Sequence, residues 1–328
     1  VKPNVGRTLL AVTIFAIFVY AILAIASDVK SLRAVLGSFD WSTFVLALAL
    51  AFGNYVLRFG KWEYYLRHLG IGAGGPGSNV FVPIPRGESF AIFLAGFSMS
   101  ITPGKAGEVF RSALLASARG TPVARSAPIV IADRVTDLLA LVLLVGVGSA
   151  YFAGYAWIGL AALALVLVVF FFVFVPAATE LLLSLVAKIR PVARLVPKLR
   201  EAYDALRTTL SPSAVIAMTL VSIVAWGLEC VGLWVILRGL GHPASLALSF
   251  FVYGTATVAG AIAMLPGGLG GTELTMRTML TGLGAMPAAP AAAATLLVRI
   301  ATLWFAVLVG FVALWVFRRR FDRRVLEA

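Results

Sequence analysis

Charge is scarce in this chain. Only 12% of its 328 residues are Asp, Glu, Lys or Arg, against roughly 25% in a soluble domain. The scarcity is lopsided, with 14 acidic residues facing 27 basic ones and a formal net charge of +13. Cysteine occurs once, at Cys230 inside an apolar stretch, so an internal disulfide framework is excluded. Histidine is restricted to His68 and His242, and neither forms an H-E-x-x-H motif. There is no cysteine metal cluster either, so neither a metal nor a cofactor is expected. A Walker A loop is absent too: Lys105 follows Gly104, but Ala106 stands where Ser or Thr is required. Uphill movement of a solute would therefore need a gradient or a partner.

Apolar residues are what the chain has in excess, at 61%, with a mean hydropathy of +1.00. A soluble core cannot hide that fraction, so the solvent is lipid and the fold is a multi-span bundle rather than a soluble enzyme or a disordered chain. The basic excess does not point to a nucleic-acid partner. Lys and Arg gather in loops beside apolar runs, as the positive-inside rule and anionic headgroups require.

Runs of about 20 apolar residues, long enough to cross a bilayer, occur at Thr8–Ser27, Ser42–Gly60, Arg134–Ala153, Tyr155–Val175, Ser213–Leu237 and Ala291–Phe317. The first ends in Ala24-Ile25-Ala26, which resembles a signal-peptidase site, but its apolar run is longer than a signal core and is expected to be a retained span. Two further regions, Glu88–Ala118 and Ala244–Ala285, are broken midway by proline and glycine. The breaks are Pro103-Gly104-Lys105-Ala106-Gly107-Glu108 and Pro266-Gly267-Gly268-Leu269-Gly270-Gly271-Thr272-Glu273. Proline removes a helix donor and glycine favours non-helical backbone. Each region thus reads as a re-entrant hairpin hinged at Pro103, Gly104 and Gly107 or at Pro266, Gly267, Gly268 and Gly270. An ordinary span with a proline kink is the alternative.

The expected fold is all-α and polytopic, with about six spanning helices and two re-entrant hairpins in a single membrane domain. Basic clusters at Lys2/Arg7, Arg58 to Arg86, Arg119 to Arg134, Lys188 to Arg207 and Arg318 to Arg324 orient it N-in and C-in. The order span, span, hairpin, span occurs twice, which makes residues 1–153 and 154–328 inverted halves. A motif echo supports this: Pro103-Gly104-x-x-Gly107-Glu108-x-x-Arg111 resembles Pro266-Gly267-x-x-Gly270 followed by Glu273 and Arg277. Inverted repeats with broken helices place a substrate site between the halves. Residues 179–210 read as an amphipathic cytoplasmic segment or a basic linker.

Buried charge carries the chemistry, because an ionised group at mid-bilayer costs at least about 2.5–3.5 kcal/mol. Glu108 and Arg111 lie three apart, as do Arg134 and Asp137, while Glu273 and Arg277 lie four apart. Each pair shares a helix face and could neutralise locally. These six residues and Arg299 are the candidate substrate-binding set, either holding an anionic headgroup or locking the scaffold. Glu229 has no evident local partner and is a candidate proton carrier or a partner for Arg299.

At these motifs the chain resembles the flippase-like family that shares the transmembrane region of lysylphosphatidylglycerol synthases. The stretches that carry the resemblance are Pro103 to Glu108 with Arg111, Asp133-Arg134-x-x-Asp137-Leu138, Leu265 to Gly270 followed by Glu273, and Arg299 with Gly310. Asp133 stands where the family commonly has Glu. The resemblance implies a bacterial or archaeal cytoplasmic (inner) membrane protein that moves lipids between leaflets or handles lipid-linked sugars beside a glycosyltransferase. It also implies that Glu108, Arg111, Arg134, Asp137, Glu273 and Arg299 form the headgroup site. The soluble aminoacyl-transfer domain of the fused synthases does not occur in this sequence, so lysine transfer is not expected.

The reading is a lipid flippase or scramblase, not an enzyme, acting on an anionic or lipid-linked headgroup such as an isoprenyl phosphate or glycolipid. A secondary transporter of a small soluble anion is one alternative. An intramembrane transferase with Mg²⁺ on Asp133/Asp137 is another, and a non-catalytic scaffold is a third.

Overall fold

The computed structural model describes residues 29–71, 84–102, 107–188, 211–263 and 265–320, together with 196, 197, 200, 203, 204 and 207. Among them every regular element is helical. The expected first span, Thr8–Ser27, lies outside the described residues, as do Pro103, Gly104 and most of the basic half of 179–210.

A short helix α1 (Val29–Gly37) leads into α2 (Trp41–His68), whose N-terminus is capped by Asp40 accepting from the Ser42 amide at 3.0 Å. The first broken region forms α3 (Arg86–Ala95), a 3₁₀ turn (Gly96–Met99) and α4 (Gly107–Arg119). Helices α5 (Val123–Ser149), α6 (Ala156–Phe174) and α7 (Pro176–Val186) follow, α6 and α7 meeting at a 99° bend. The second half continues as α8 (Pro212–Gly239) and α9 (Leu246–Ile262), capped by the Ser211 and Ser245 hydroxyls. A 3₁₀ turn (Pro266–Gly268) and α10 (Gly271–Gly282) complete the second broken region. The last element runs as α11 (Ala288–Arg299), a π-helical turn (Ile300–Trp304) and α12 (Phe305–Arg320).

Among the described residues, three helices are long and apolar enough to cross a membrane: Trp41–His68, Ser213–Gly239 and the combined Ala288–Arg320. The bent α6/α7 pair makes a fourth if it is one span. At about 1.5 Å per residue, the 28 residues of α2 cover more than the ~30 Å hydrocarbon layer. The expected span Arg134–Ala153 is the second half of α5, which begins earlier and carries Asp133, Arg134 and Asp137 in its middle turns.

The expected span Ser42–Gly60 is corrected at its end. The helix runs on to His68, so Arg58 and Lys61 are not loop residues obeying a charge rule. They continue one helix face begun by Asn54, which donates to the Ala225 carbonyl of α8 at 2.8 Å. Polar residues at 54, 58, 61 and 65 recur at helical spacing, and this stripe faces the packed interior.

Both broken regions fold as helical hairpins. In the first, α3 packs on α4; in the second, α9 packs on α10. Each sits in its own apolar core. One core joins α3, α4 and α12 to the later turns of α2 and to α5. The other joins α9, α10 and α11 to α8 and the first turns of α2. Helix α12 crosses the first hairpin at Gly310, where a Cβ would overlap the Ser98 amide and the Phe97 carbonyl carbon.

Candidate functional site: a guanidinium-lined cavity

A cavity of about 370 Å³ lies where the two hairpins, α2, α5, α8 and α11 converge. The first hairpin contributes Phe97 and Arg111, the second Gly267 and Thr272. The wall carries the guanidinium groups of Arg58, Arg111, Arg134 and Arg299. Among the described residues, Glu229 is the carboxylate in that wall.

Arg299 ends α11 at the π-helical turn, a helix irregularity that turns side chains off the regular register. Its Nε donates to Glu273 Oε1 and its Nη2 to the Gly267 carbonyl, both at 2.6 Å. The other Glu273 oxygen accepts from the Gly270 amide at 2.7 Å, at the N-terminus of α10. Glu273 is fully buried, and it joins the arginine to the hairpin break. The break itself needs glycine: Gly267, Gly268 and Gly270 have φ of 60°, 69° and 88°.

Arg58 is oriented from behind the wall. Its Nη2 lies 2.7 Å from Asp137 Oδ2 and 3.1 Å from Asp133 Oδ2. The Lys61 ammonium sits 2.6 Å from Asp133 Oδ1 and 2.8 Å from Asp137 Oδ1, and donates to Ser222 of α8 at 2.6 Å. Lys61 is 1% exposed, and its two carboxylate partners make that burial possible. Arg111 is positioned by aromatics: its guanidinium stands 4.2 Å from the Phe93 ring centroid and 5.0 Å from that of Phe97. Its stem lies against Gly96, where a Cβ would overlap it.

Glu229 on α8 accepts a hydrogen bond from the Tyr253 hydroxyl of α9 at Oε2. Nearby, the Tyr55 hydroxyl donates to the Thr302 carbonyl in the π-helical turn at 3.1 Å.

The structure therefore brings Arg111, Arg134, Arg299 and Glu229 together in one wall. Asp137 and Glu273 stand behind it, on Arg58 and Arg299, while Arg277 is half-buried and outside the cavity lining. The Glu108 side chain lies outside the described residues. Glu273 and Asp137 have partners from distant segments, 26 residues away for Glu273 and 79 for Asp137 to Arg58. Packing sets these partners, so spacing along one helix could not reveal them. Sequence reasoning missed Arg58, Lys61, Tyr55 and Tyr253. The first two were legible as a polar stripe at helical spacing; the tyrosines carry no local signal.

Long apolar helices closed around a buried, charge-paired cavity define a polytopic α-helical membrane protein. The chain belongs to the lysylphosphatidylglycerol synthase TM region family, which it matches over residues 8–310. It is also similar to the UPF0104 membrane protein MJ1595 of Methanocaldococcus jannaschii, at 20% identity over 346 residues and 98% of both chains.

Proposed function

We propose that the protein moves a phosphate-bearing lipid headgroup between leaflets through this cavity, as a flippase or scramblase rather than an enzyme. The observation that carries the reading is the cavity lined by four arginines, Arg58, Arg111, Arg134 and Arg299. Arginine is the side chain best suited to phosphate, through its planar fork of donors. The volume falls at the small end of the range for small-molecule pockets, roughly 300–1,000 Å³, which suits a headgroup with its tails left outside.

The apolar rim favours a lipid over a soluble anion. Leu265 lines the cavity yet is 39% exposed, and Ile262 and Leu274 beside the same break are 77% and 65% exposed. Such residues around a backbone break belong against acyl or isoprenyl chains. The same pattern supports hairpins that enter the bilayer and return, arranged as an inverted repeat around the site. The protein then sits N-in and C-in in a bacterial or archaeal cytoplasmic membrane. Glycine breaks act as hinges, with Glu273 tying Arg299 to the second one. The pairing of Asp133 and Asp137 with Arg58 and Lys61 speaks against a metal site there and so against the transferase alternative.

Native mass spectrometry tests the reading. Detergent-purified protein should retain a phospholipid-mass adduct that weakens in Arg111→Gln/Arg134→Gln. An adduct of unchanged strength in that variant contradicts the proposed site. Lipid-free protein that binds inorganic phosphate points to the soluble-anion transporter instead.

A further inference from the structure

The buried carboxylates at the cavity divide into two kinds. Asp133, Asp137 and Glu273 stand behind the cavity wall, each within 3.1 Å of a basic side chain that it orients. Glu229 is different: it lines the cavity itself, 7% exposed, where an entering ligand must pass. The groups that share the wall with it are Tyr55 and Arg58 on α2, Arg111 on α4, Arg134 on α5, Tyr253 on α9 and Arg299 on α11. Its own helix adds buried Cys230.

An ionised Glu229 and a bound phosphate are like charges competing for the arginines that line the same cavity. A proton on Glu229 removes the competitor. Tyr253 can donate to Oε2 in either state. By linkage, whatever factor protonation adds to anion affinity, the anion adds to proton affinity. We infer that Glu229 is a proton site coupled to the occupancy of the cavity by a phosphate-type anion, so that anion and proton enter and leave together. The proton comes from water on the open side and returns to water on release; no bond to the ligand forms. This inference rests on the phosphate reading of the cavity and adds its coupling ion.

The test is calorimetric titration of the detergent-purified full chain with dimethyl phosphate, whose single charge does not titrate between pH 6 and pH 8. Wild type should bind at least about 5-fold more tightly at pH 6, the low end of typical coupling between sites. Titrations in two buffers of different ionisation enthalpy should register proton uptake. Glu229→Gln should bind at both pH values as wild type does at pH 6, and take up no proton. Binding without pH dependence, or pH dependence that survives in Glu229→Gln, overturns the coupling and leaves the phosphate site standing. Wild type that fails to bind at either pH overturns both. Should Glu229→Gln not fold, wild-type proton uptake and Tyr253→Phe, with altered pH dependence expected, carry the same decision. In liposomes, an inward proton gradient should speed inward movement of fluorescent phosphatidylglycerol if the ligand is a lipid. Proton-driven uptake of radiolabelled glycerol phosphate instead assigns the coupled ligand to the soluble pool.

Discussion

Arg299 both lines the cavity and pairs with buried Glu273, and the consequences of the two can be separated. Replacing Arg299 by Ala leaves the buried Glu273 carboxylate without this partner, which should cost about 3–5 kcal/mol, read as a lower unfolding temperature in detergent. Removing both charges in Arg299→Met/Glu273→Leu should recover most of that stability, since a buried pair replaced by apolar groups is often neutral or better. Lipid movement should stay lost in both variants. Recovery of movement in the double variant would make Arg299 a structural residue only. Arg111 offers a second contrast: Arg111→Lys keeps the charge but loses the planar face over Phe93 and Phe97, so headgroup affinity should fall several-fold in a binding titration. Equal affinity would mean that charge alone matters there. At this scale the sequence marked Arg111, Arg134 and Arg299 because charge inside apolar segments is conspicuous. It could not assign partners, because Glu273 meets Arg299 only when the second hairpin packs on α11.

Helices and breaks carry the next layer. Gly267 adopts φ of 60°, so Gly267→Ala should destabilise by about 1–2 kcal/mol through backbone strain. Gly310→Leu should do far more damage, because its side chain enters the backbone of the first hairpin's 3₁₀ turn and forces α12 away. A purified Gly310→Leu protein with wild-type unfolding temperature would contradict the close crossing. Both breaks were readable from Pro and Gly placement. The ends of the spans were less so. Hydropathy stops at Gly60, while the helix continues to His68 because its charged face turns inward to Asp133 and Asp137. The apolar run likewise finds only the second half of the helix that begins at Val123.

Across the whole molecule, two hairpin-centred cores meet α2, and the cavity forms at their junction. Membrane class and family followed from composition and from the two glycine-rich motifs. The convergence of both hairpins on one chamber needed the fold, because residues from Tyr55 to Ala306 contribute to it. The central claim is that this chamber conducts lipid headgroups. The most direct measurement is reconstitution into liposomes containing fluorescent phosphatidylglycerol or phosphatidylcholine, with an impermeant quencher scoring loss of the inner-leaflet pool. Bleaching should be faster than in protein-free vesicles, with a preference for the anionic headgroup, and the effect should be lost in Arg134→Gln. Bleaching no faster than in protein-free vesicles for either lipid, or acceleration that Arg134→Gln leaves intact, would contradict it.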